Sequence, residues 1–564
     1  MNNDTAKEKN LVGAVMVVGG GIGGMQAALD LANAGYRVYL VEGTTAIGGH
    51  MAQLDKTFPT NDCSMCTISP KLIEVAKHLN IEVITNAEVE ALRGEAGNFQ
   101  VTVLKKPRYV IEEKCNACGD CIQACPVSLP SEFDENLMDR KAIYKRYPQA
   151  IPNVVAITKG DRAPCGLTCP TGINVQGYVA LISAGKFQEA LALIRERNPF
   201  PSVCGRVCHH PCEEKCNRGE LDEPIAINPL KRFVSDYVRE KRARGEIVVE
   251  RPATAIDRNK PKIAVVGSGP AGLTAAQDLA VLGYPVTVFE ALPVLGGMMR
   301  VGIPDYRLPK DILADDIEQI ITLGVEFKTN TAIGKDLTLQ DLRQQGYKAI
   351  FAAVGTPLSR KLPIPGAQLP DVLLGVDFLR SVNLGYRVPI GKKVVVIGGG
   401  NVAIDVALTA LRTGAQAVDL VCLESREEMP AHEWEIEDAL EEGVVINCSW
   451  GPVAIMENNG TVLGVVVKKC TAVFDAQGKF NPAFDETVTK TFQADTVIIA
   501  IGQAADLSLF GEEAALLSTP GGLITVDRVT LQTSLEGVFA GGDAVSGPAS
   551  VVEAINFGHE AAIS

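Results

Sequence analysis

Twelve of the fifteen cysteines in this 564-residue chain fall between Cys63 and Cys216, and their spacing is typical of iron–sulfur ligands. The tightest run has the pattern C-x-x-C-x-x-C-x-x-x-C-P, in which three thiolates hold one [4Fe–4S] cluster and the fourth ligates a different one. Its members are Cys115, Cys118, Cys121, Cys125 and Pro126. A zinc site is the alternative, but structural zinc sites follow other spacings.

A second group of cysteines follows at wider spacing, and one pair precedes the run. The second group is Cys165, Cys169, Cys204, Cys208, Cys212 and Cys216, and the early pair is Cys63 and Cys66. Twelve thiolates suffice for three clusters with four ligands each, so we predict two to three [4Fe–4S] clusters. The spacing does not assign each thiolate to a cluster, and Cys204 is the one that we expect to be spare.

Three segments share a second pattern: an apolar strand, a glycine-rich turn, a helix of small residues and another strand. These segments span 14–42, 262–290 and 393–424. In a dinucleotide-binding unit the glycines form a tight turn, admit the pyrophosphate and let the helix pack on the strand. An acidic residue at the end of the second strand then binds the ribose. The matching residues are Gly19, Gly21, Gly24 and Glu42; Gly267, Gly269, Gly272 and Glu290; and Gly398, Gly400, Ala403 and Glu424.

An ordinary glycine turn without a nucleotide is the alternative for each copy. It stays most open for the first copy, because the rest of a flavin domain is not evident around it. In the third copy the Glu424 carboxylate repels a 2′-phosphate, which favours NADH over NADPH. Arg426 is close enough in sequence to serve a phosphate instead, and Glu424 pointing to solvent would decide nothing.

The chain from about 164 to 564 resembles the glutamate synthase small subunit, dihydropyrimidine dehydrogenase and the NADH-dependent ferredoxin:NADP oxidoreductase. The motifs that carry the resemblance are GGMMRVGIPDYRLPK (296–310), SREEMPA (425–431) and GGDAVSGPASVVEAI (541–555). The resemblance implies that FAD and the nicotinamide cofactor have separate sites. The FAD site is Gly267, Gly269, Gly272, Glu290, Gly297 and Asp543, and the nicotinamide site is Gly398, Gly400 and Asn401.

The same relatives hold two [4Fe–4S] clusters with cysteines like those of the second group. They have a further Cys-x-x-Cys before the position of Cys165, which this chain lacks. One branch also uses a glutamine ligand near Lys231, which a lysine does not replace. The resemblance therefore implies that one cluster needs other ligands. The candidates are Cys121, Cys125, Cys63 and Cys66.

The front of the chain, about 14–156, resembles the heterodisulfide reductase A subunit. The matching stretches are TFPTNDCSMCTISPKLIEV (57–75), KKPRYV (105–110) and RKAIYKRYPQAIPNV (140–154). The remaining flavin-domain half of that family is absent from this stretch. The resemblance thus leaves a second FAD open on the first glycine loop.

These patterns predict an α/β chain with a two-dinucleotide-binding (FAD/NAD(P)) Rossmann-type flavoprotein, preceded by a ferredoxin-like segment and a helical iron–sulfur domain. The expected domains are a partial flavin unit (1–110), the ferredoxin-like segment (111–160), the helical [4Fe–4S] domain (161–245), the FAD domain in two parts (260–385 and 496–564) and the NAD(P)H domain (386–495). The sequence ends inside a predicted helix without a stop signal, so we expect it to be the front of a longer protein.

We predict an NAD(P)H oxidoreductase subunit that passes electrons between a nicotinamide cofactor, FAD and the clusters. No catalytic side chain is expected, because hydride transfer depends on the positioning of two rings. The partners would be electron-transfer subunits of a heterodisulfide reductase-like, hydrogenase or dehydrogenase complex, and flavin-based bifurcation is an extension that the residues do not require. A glutamate synthase small subunit proper and a non-catalytic cofactor-bearing scaffold are the alternatives.

Composition excludes other classes. The net charge of −14 and the 5% aromatic content disfavour nucleic-acid binding. We find neither a long uncharged apolar run nor a secretory signal, so we expect no membrane span and a cytoplasmic location. Cysteines in a reducing compartment favour metal ligation over disulfides.

Overall fold

The computed structural model describes residues 13–95, 97–125, 127–160, 163–247, 256–517, 519 and 521–564. The chain divides into two compact units, Met1–Asp161 and Arg162–Ser564. The polar start of the chain and Pro126 lie outside the described residues. Within the described part, no helix is long and apolar enough to cross a membrane.

The first unit is built on a parallel sheet with the strand order Ala14–Val18, Arg37–Glu42, Ile81–Thr85. Its helices are Ile22–Asn33, Ser64–Lys77 and the short Asp120–Ala124. The antiparallel pairs are Lys56–Thr57 with Asp62–Cys63, Ala87–Glu95 with Asn98–Lys105, Ser128–Pro130 with Asp139–Lys141, and Ile143–Tyr144 with Ala156–Ile157. Leu29, Leu40 and Ile68 lie in the core between the sheet and its helices.

The second unit opens with a helical segment that carries the second cysteine group. Its helices are Pro164–Thr168, Val175–Ser183, Phe187–Arg195, Pro201–Val207, Pro211–Glu214 and Ile227–Ala243. Phe200, Val203 and Cys204 belong to the same apolar core as the flavin-type domain that follows. The helical segment is therefore packed onto that domain rather than tethered to it.

Two five-stranded parallel sheets follow, as expected for continuously apolar strands with helices on both faces. The first has the order Glu326–Lys328, Val286–Phe289, Lys262–Val266, Tyr347–Ala352, Val538–Ala540, and the second has the order Val372–Leu374, Thr496–Ile499, Lys393–Ile397, Ala417–Val421, Val445–Asn447. We call them the FAD-type sheet and the NAD-type sheet. The chain crosses between them through the antiparallel pair Leu358–Ser359 and Gln503–Ala504.

Helices cover these sheets, and an antiparallel sheet flanks the second. The helices around the FAD-type sheet are Pro270–Val281, Met298–Val301, Lys310–Ile321, Leu339–Gln344, Ala514–Leu517, Asp543–Ser546 and Val551–Ile563. Those around the NAD-type sheet are Gly375–Asn383, Asn401–Thr413 and Glu433–Glu441. The flanking strands are Trp450–Asn458, Thr461–Phe474 and Phe480–Gln493. The two-sheet arrangement predicted from the sequence is confirmed.

One buried carboxylate ties the helical segment to the FAD-type domain. Asp316, on helix Lys310–Ile321, is fully buried and accepts the N–H groups of Ser202 and Val203 at 3.0 and 3.2 Å and the Ser202 hydroxyl at 3.0 Å. These N–H groups are donors at the start of helix Pro201–Val207 that the helix itself leaves unpaired. The carboxylate therefore fixes the helix that carries Cys204.

We expect Asp316→Ala to weaken this attachment by about 2 kcal/mol, because it leaves buried donors without an acceptor. The rate of limited proteolysis within 163–247 then rises about thirtyfold when cleavage follows local opening. Asp311→Ala is the matched control: Asp311 lies on the same helix and pairs with Arg239 at 2.9 Å, but at the surface. Equal proteolysis of both variants would contradict the role of Asp316.

Candidate functional site

The three glycine loops have nearly the same backbone geometry. The first glycines, Gly19, Gly267 and Gly398, have φ of +100°, +104° and +143°, respectively. Residues with a Cβ rarely adopt such values. A Cβ added at Gly272 would lie 2.0 Å from the carbonyl oxygen of Gly267, and one at Gly24 would lie 1.9 Å from that of Gly19. Helix and strand therefore meet as closely as the motif requires.

The acidic residue of each loop lies against the residue after the first glycine. Glu42 accepts the Gly20 N–H at 2.7 Å, and Glu290 accepts the N–H and hydroxyl of Ser268 at 3.0 and 2.6 Å. In the third loop, a Cβ added at Gly399 would lie 2.8 Å from Glu424 Oε2. All three carboxylates thus lie against the glycine turn of their loop, and their ribose-binding role stays a prediction.

A second glycine pair distinguishes the first two loops from the third. Gly297 has φ of +52°, and a Cβ there would lie 2.7 Å from the Cα of Gly269. Gly49 repeats this arrangement with φ of +53° and a distance of 2.9 Å to the Cα of Gly21. Sequence reasoning found Gly297 but missed Gly49, although both follow the same apolar-Gly-Gly pattern. The first unit therefore repeats the local geometry of the second loop. We call that second loop, residues 267–272, the FAD-type loop, and the third, residues 398–403, the NAD-type loop.

One cavity of about 1550 Å³ in the second unit is lined by most of the nucleotide-binding residues predicted for that unit. It is lined by the FAD-type loop, the NAD-type loop, Glu290, Glu424 and Asp543. Nothing lies within 4 Å of a Cβ placed on Gly269, so the backbone there is open to a ligand. Two open loops on one cavity, larger than a pocket for a single small molecule, fit a flavin and a nicotinamide nucleotide together.

Asp543 stands where the FAD-type sheet ends. It follows strand Val538–Ala540 and begins the short helix Asp543–Ser546, and burial raises its pKa to about 7. The carboxyl is therefore positioned to hydrogen-bond hydroxyl groups of a bound flavin side chain, in either protonation state. Gly542, just before it, has φ of +69°, which turns the chain into the cavity.

Beside the NAD-type loop, Asn401 Oδ1 accepts the backbone N–H of His432 at 3.0 Å. This hydrogen bond holds residues 430–434 against the loop. Arg426 forms an ion pair with Glu433 at 2.6 Å. The one arginine that the sequence offered for a 2′-phosphate is thus already engaged with a carboxylate. The Glu424 carboxylate, in contrast, lies beside Gly399 of the NAD-type loop.

A buried ion cluster between the two domains was missed by sequence reasoning. Arg307, in the loop after Gly297, bonds both oxygens of Asp405 at 2.9 and 2.8 Å and Glu435 Oε1 at 2.5 Å. Burial raises the pKa of Glu435 to about 7 and also raises the pKa of Asp405. All three line the cavity. The RVGIPDYRLPK motif signalled Arg307, but its partners lie about one hundred residues away.

Four aromatic rings connect the helical segment to the nucleotide side of the cavity. His432 and Trp434 stack at 4.5 Å, His209 stacks on His432 at 5.9 Å, and His210 lies 5.3 Å from Trp434. Burial lowers the pKa of His432, so this ring is neutral at neutral pH. The sequence places His209 and His210 directly after Cys208, but their contacts with His432 and Trp434 arise only when the chain folds.

The second cysteine group converges in the helical segment. Cys165 and Cys212 share one apolar cluster, and Cys169 packs against it. Cys204 lies in the core shared with the FAD-type domain, and Cys208 packs against that core and lines the large cavity. Burial raises the pKa of Cys165, Cys204, Cys208 and Cys212. The fold thus brings these cysteines into one segment, and their assignment to clusters stays open.

The cysteines of the first unit are arranged differently. Cys118 and Cys121 are exposed around Gly119, whose φ of +96° bends the run. Among the described residues, no three ligating side chains gather around one point as a single ion requires. The spacing of the run, C-x-x-C-x-x-C, is typical of cluster ligands and differs from that of structural zinc sites.

Cys63 and Cys66 form a disulfide in the structure, at the start of helix Ser64–Lys77. This differs from the expectation that both are iron ligands, because a bonded pair of sulfurs offers no thiolate. The iron-ligand role of the pair stays a prediction. Cys204 is fully buried in the core shared with the FAD-type domain, and its role as the spare thiol also stays a prediction.

Comparisons with known proteins agree with this geometry. The profile of the pyridine nucleotide-disulphide oxidoreductases matches residues 261–558, and the 4Fe–4S domain II of dihydropyrimidine dehydrogenase matches 148–243. In the first unit, FAD-dependent oxidoreductases match 14–72 and the 4Fe–4S binding domain matches 108–129. None of these four profiles is specific to heterodisulfide reductase, so that resemblance stays a prediction.

Three relatives illustrate the similarity. The NADP(+)-dependent formate dehydrogenase subunit beta of Moorella thermoacetica is 45% identical over 71% of this chain and 59% of its own length. The NAD-dependent dihydropyrimidine dehydrogenase subunit PreT of Escherichia coli K12 is 35% identical over 73% and 94%. The glutamate synthase [NADPH] small chain of Azospirillum brasilense is 32% identical over 71% and 84%.

This chain thus spans about three fifths of the formate dehydrogenase subunit, but nearly all of PreT. The family match covers more than half of the chain and includes both nucleotide loops. The chain belongs to the pyridine nucleotide-disulphide oxidoreductase family and also carries two 4Fe–4S domain matches.

Proposed function

We propose that this protein is the subunit of a redox complex that exchanges electrons between NAD(P)H, FAD and [4Fe–4S] clusters. One observation carries the proposal: a single cavity is lined by the FAD-type loop, the NAD-type loop and Cys208 of the helical segment. Donor, carrier and acceptor sites therefore share one space.

The residues bind and orient the reacting rings. The N–H groups at the starts of helices Pro270–Val281 and Asn401–Thr413 face the cavity, where they suit the pyrophosphates of two nucleotides. Bound FAD would accept a hydride from the nicotinamide and release single electrons. Because the transfer depends on ring positioning, the ion cluster of Arg307, Asp405 and Glu435 serves by fixing the two domains, and no general base is required.

Anaerobic titration tests this proposal. The purified protein should contain FAD and acid-labile iron, and the flavin absorbance should bleach on addition of NADH or NADPH. A colourless preparation, or a yellow-brown one that neither nucleotide bleaches, would contradict the proposal. The second outcome would leave a cofactor-bearing scaffold as the function.

We propose that NADH is preferred. Glu424 lies at the ribose end of the loop, and Arg426 is engaged by Glu433. The relatives include both an NADP(+)-dependent and an NAD-dependent enzyme, so family membership alone does not determine which nucleotide is bound.

We expect Glu424→Arg to change the ratio of kcat/KM for NADPH over NADH by about tenfold or more, toward NADPH, since a cation replaces a charge that repels the 2′-phosphate. Glu433→Gln, which releases Arg426, should move the ratio in the same direction but less. An unchanged ratio in both variants would show that these charges do not select the nucleotide.

We also propose that the first unit holds a second FAD on Gly19, Gly21, Gly24 and Glu42. The support is its repetition of the FAD-type geometry, including Gly49 against Gly21. With the run at Cys115, this unit would carry electrons to partner subunits, of the dehydrogenase, hydrogenase or heterodisulfide reductase-like type. Extraction of two FAD molecules per chain supports this site, and extraction of one contradicts it.

Replacing Cys118 by Ala should remove about four irons per chain, since the run at Cys115 would lose one of its cluster's ligands. Bleaching of the flavin by NADH should survive, because the cavity and Cys208 belong to the other unit. Cys470→Ala is the control, since this buried thiol lies in the flanking sheet and should change neither quantity. Loss of bleaching in the Cys118 variant would contradict the proposed order of electron flow.

A further inference from the structure

Part of the lining of the large cavity is apolar and aromatic, and the flanking sheet supplies half of it. The residues are Leu362, Pro363, Leu423, Trp450, Pro452 and Phe480. Leu423 directly precedes Glu424, the acidic partner of the NAD-type loop. A dinucleotide whose pyrophosphate lies at this loop carries a purine base beyond its ribose. Apolar walls with aromatic side chains suit such a flat ring.

Backbone contacts place this lining directly beside Glu424. The Ser449 N–H donates to the Glu424 carbonyl at 2.8 Å, and the Trp450 N–H donates to the Cys422 carbonyl at 2.8 Å. The Ser449 carbonyl in turn accepts the N–H of Cys470, in the next strand of the flanking sheet, at 2.9 Å. The flanking sheet is therefore joined by hydrogen bonds to the strand end that carries the acidic residue.

Past this point the sheet continues as a hairpin whose tip carries two phenylalanines. Phe480 is 59% exposed and lines the cavity, and Phe474 stands opposite it in the neighbouring strand. The two rings meet edge to face, with 6.3 Å between their centres and 77° between their planes. Phe474 is four residues beyond Cys470, so the tip lies about 13 Å along the strand from the contact beside Glu424. A ribose, a purine and a phenyl ring together span such a distance.

The two aromatic side chains of this lining differ in what already covers them. Trp450 is partly buried, and Lys469 Nζ lies 5.2 Å from the centre of its ring. Phe480 keeps more than half of its surface exposed. A single exposed phenylalanine is common on protein surfaces and needs no special explanation. Phe480 is distinct because its exposed ring belongs to the wall of a cavity with a nucleotide-binding loop.

We propose that Phe480 binds the purine base of the nicotinamide nucleotide by stacking on it. Stacking of a base on an aromatic side chain adds to affinity without requiring hydrogen bonds to the base. The inference rests on the proposed function, since it requires the nucleotide to bind at the NAD-type loop.

This role separates affinity from chemistry and from the choice of nucleotide. Phe480 would contact the adenosine half, which does not react, so the nicotinamide half and the flavin are unaffected by its removal. NADH and NADPH carry the same base, so the contact strengthens both equally. Selection between them is left to the charges around Glu424.

Calorimetric titration of the FAD-loaded protein tests the proposal. Phe480→Ala should weaken the binding of NAD+ and of ADP-ribose about tenfold each, because both ligands carry the base. In anaerobic flavin reduction, kcat/KM for NADH should fall by the same factor. The value for reduced nicotinamide mononucleotide, which lacks the base, should not change. Phe480→Trp keeps an aromatic face and should keep the affinity of the original protein for NAD+.

Val488→Ala is the matched control, since Val488 lies on the same strand and is 42% exposed, but is not part of the cavity lining. It should change none of these quantities. Unchanged affinity for ADP-ribose in Phe480→Ala would overturn the proposal. An equal fall in kcat/KM for NADH and for reduced nicotinamide mononucleotide would also overturn it, as would a loss of affinity in Phe480→Trp as large as that in Phe480→Ala. Failure of the unaltered protein to bind either NAD+ or ADP-ribose would contradict the proposed function itself.

Discussion

The cavity depends on one guanidinium between two buried carboxylates. Arg307 comes from the FAD-type domain, whereas Asp405 and Glu435 come from two helices of the NAD-type domain. Removing one member of such a group leaves an uncompensated charge away from water, which usually costs several kcal/mol. These three charges therefore hold the FAD-type and NAD-type loops in a fixed mutual orientation, because few other groups compensate them. The shared cavity depends on that orientation.

The helical segment that carries the second cysteine group is fixed to the FAD-type domain. Asp316 holds the helix of Cys204, and Phe200 and Val203 extend the apolar core of the FAD-type domain into the helical segment. Cys208 follows directly and reaches the cavity wall. The position of Cys208 relative to the FAD-type loop is thus set by core packing rather than by a flexible connection.

Residues close in sequence were predictable, and residues brought together by folding were not. The glycine turns follow from local backbone requirements, so the sequence indicates both the turn at Gly267 and the acidic Glu290 that the structure shows beside it. The partners of Arg307 lie on other elements, and nothing in the local pattern indicates them. Gly49 was missed because its role depends on contact with Gly21.

The ring stack has a mechanical consequence. His209 and His210 flank the two rings of the loop 430–434, and that loop is bonded through His432 to Asn401 at the mouth of the nucleotide loop. The stack therefore joins Asn401, in the NAD-type loop, to the residues directly after Cys208 through one unbroken line of contacts.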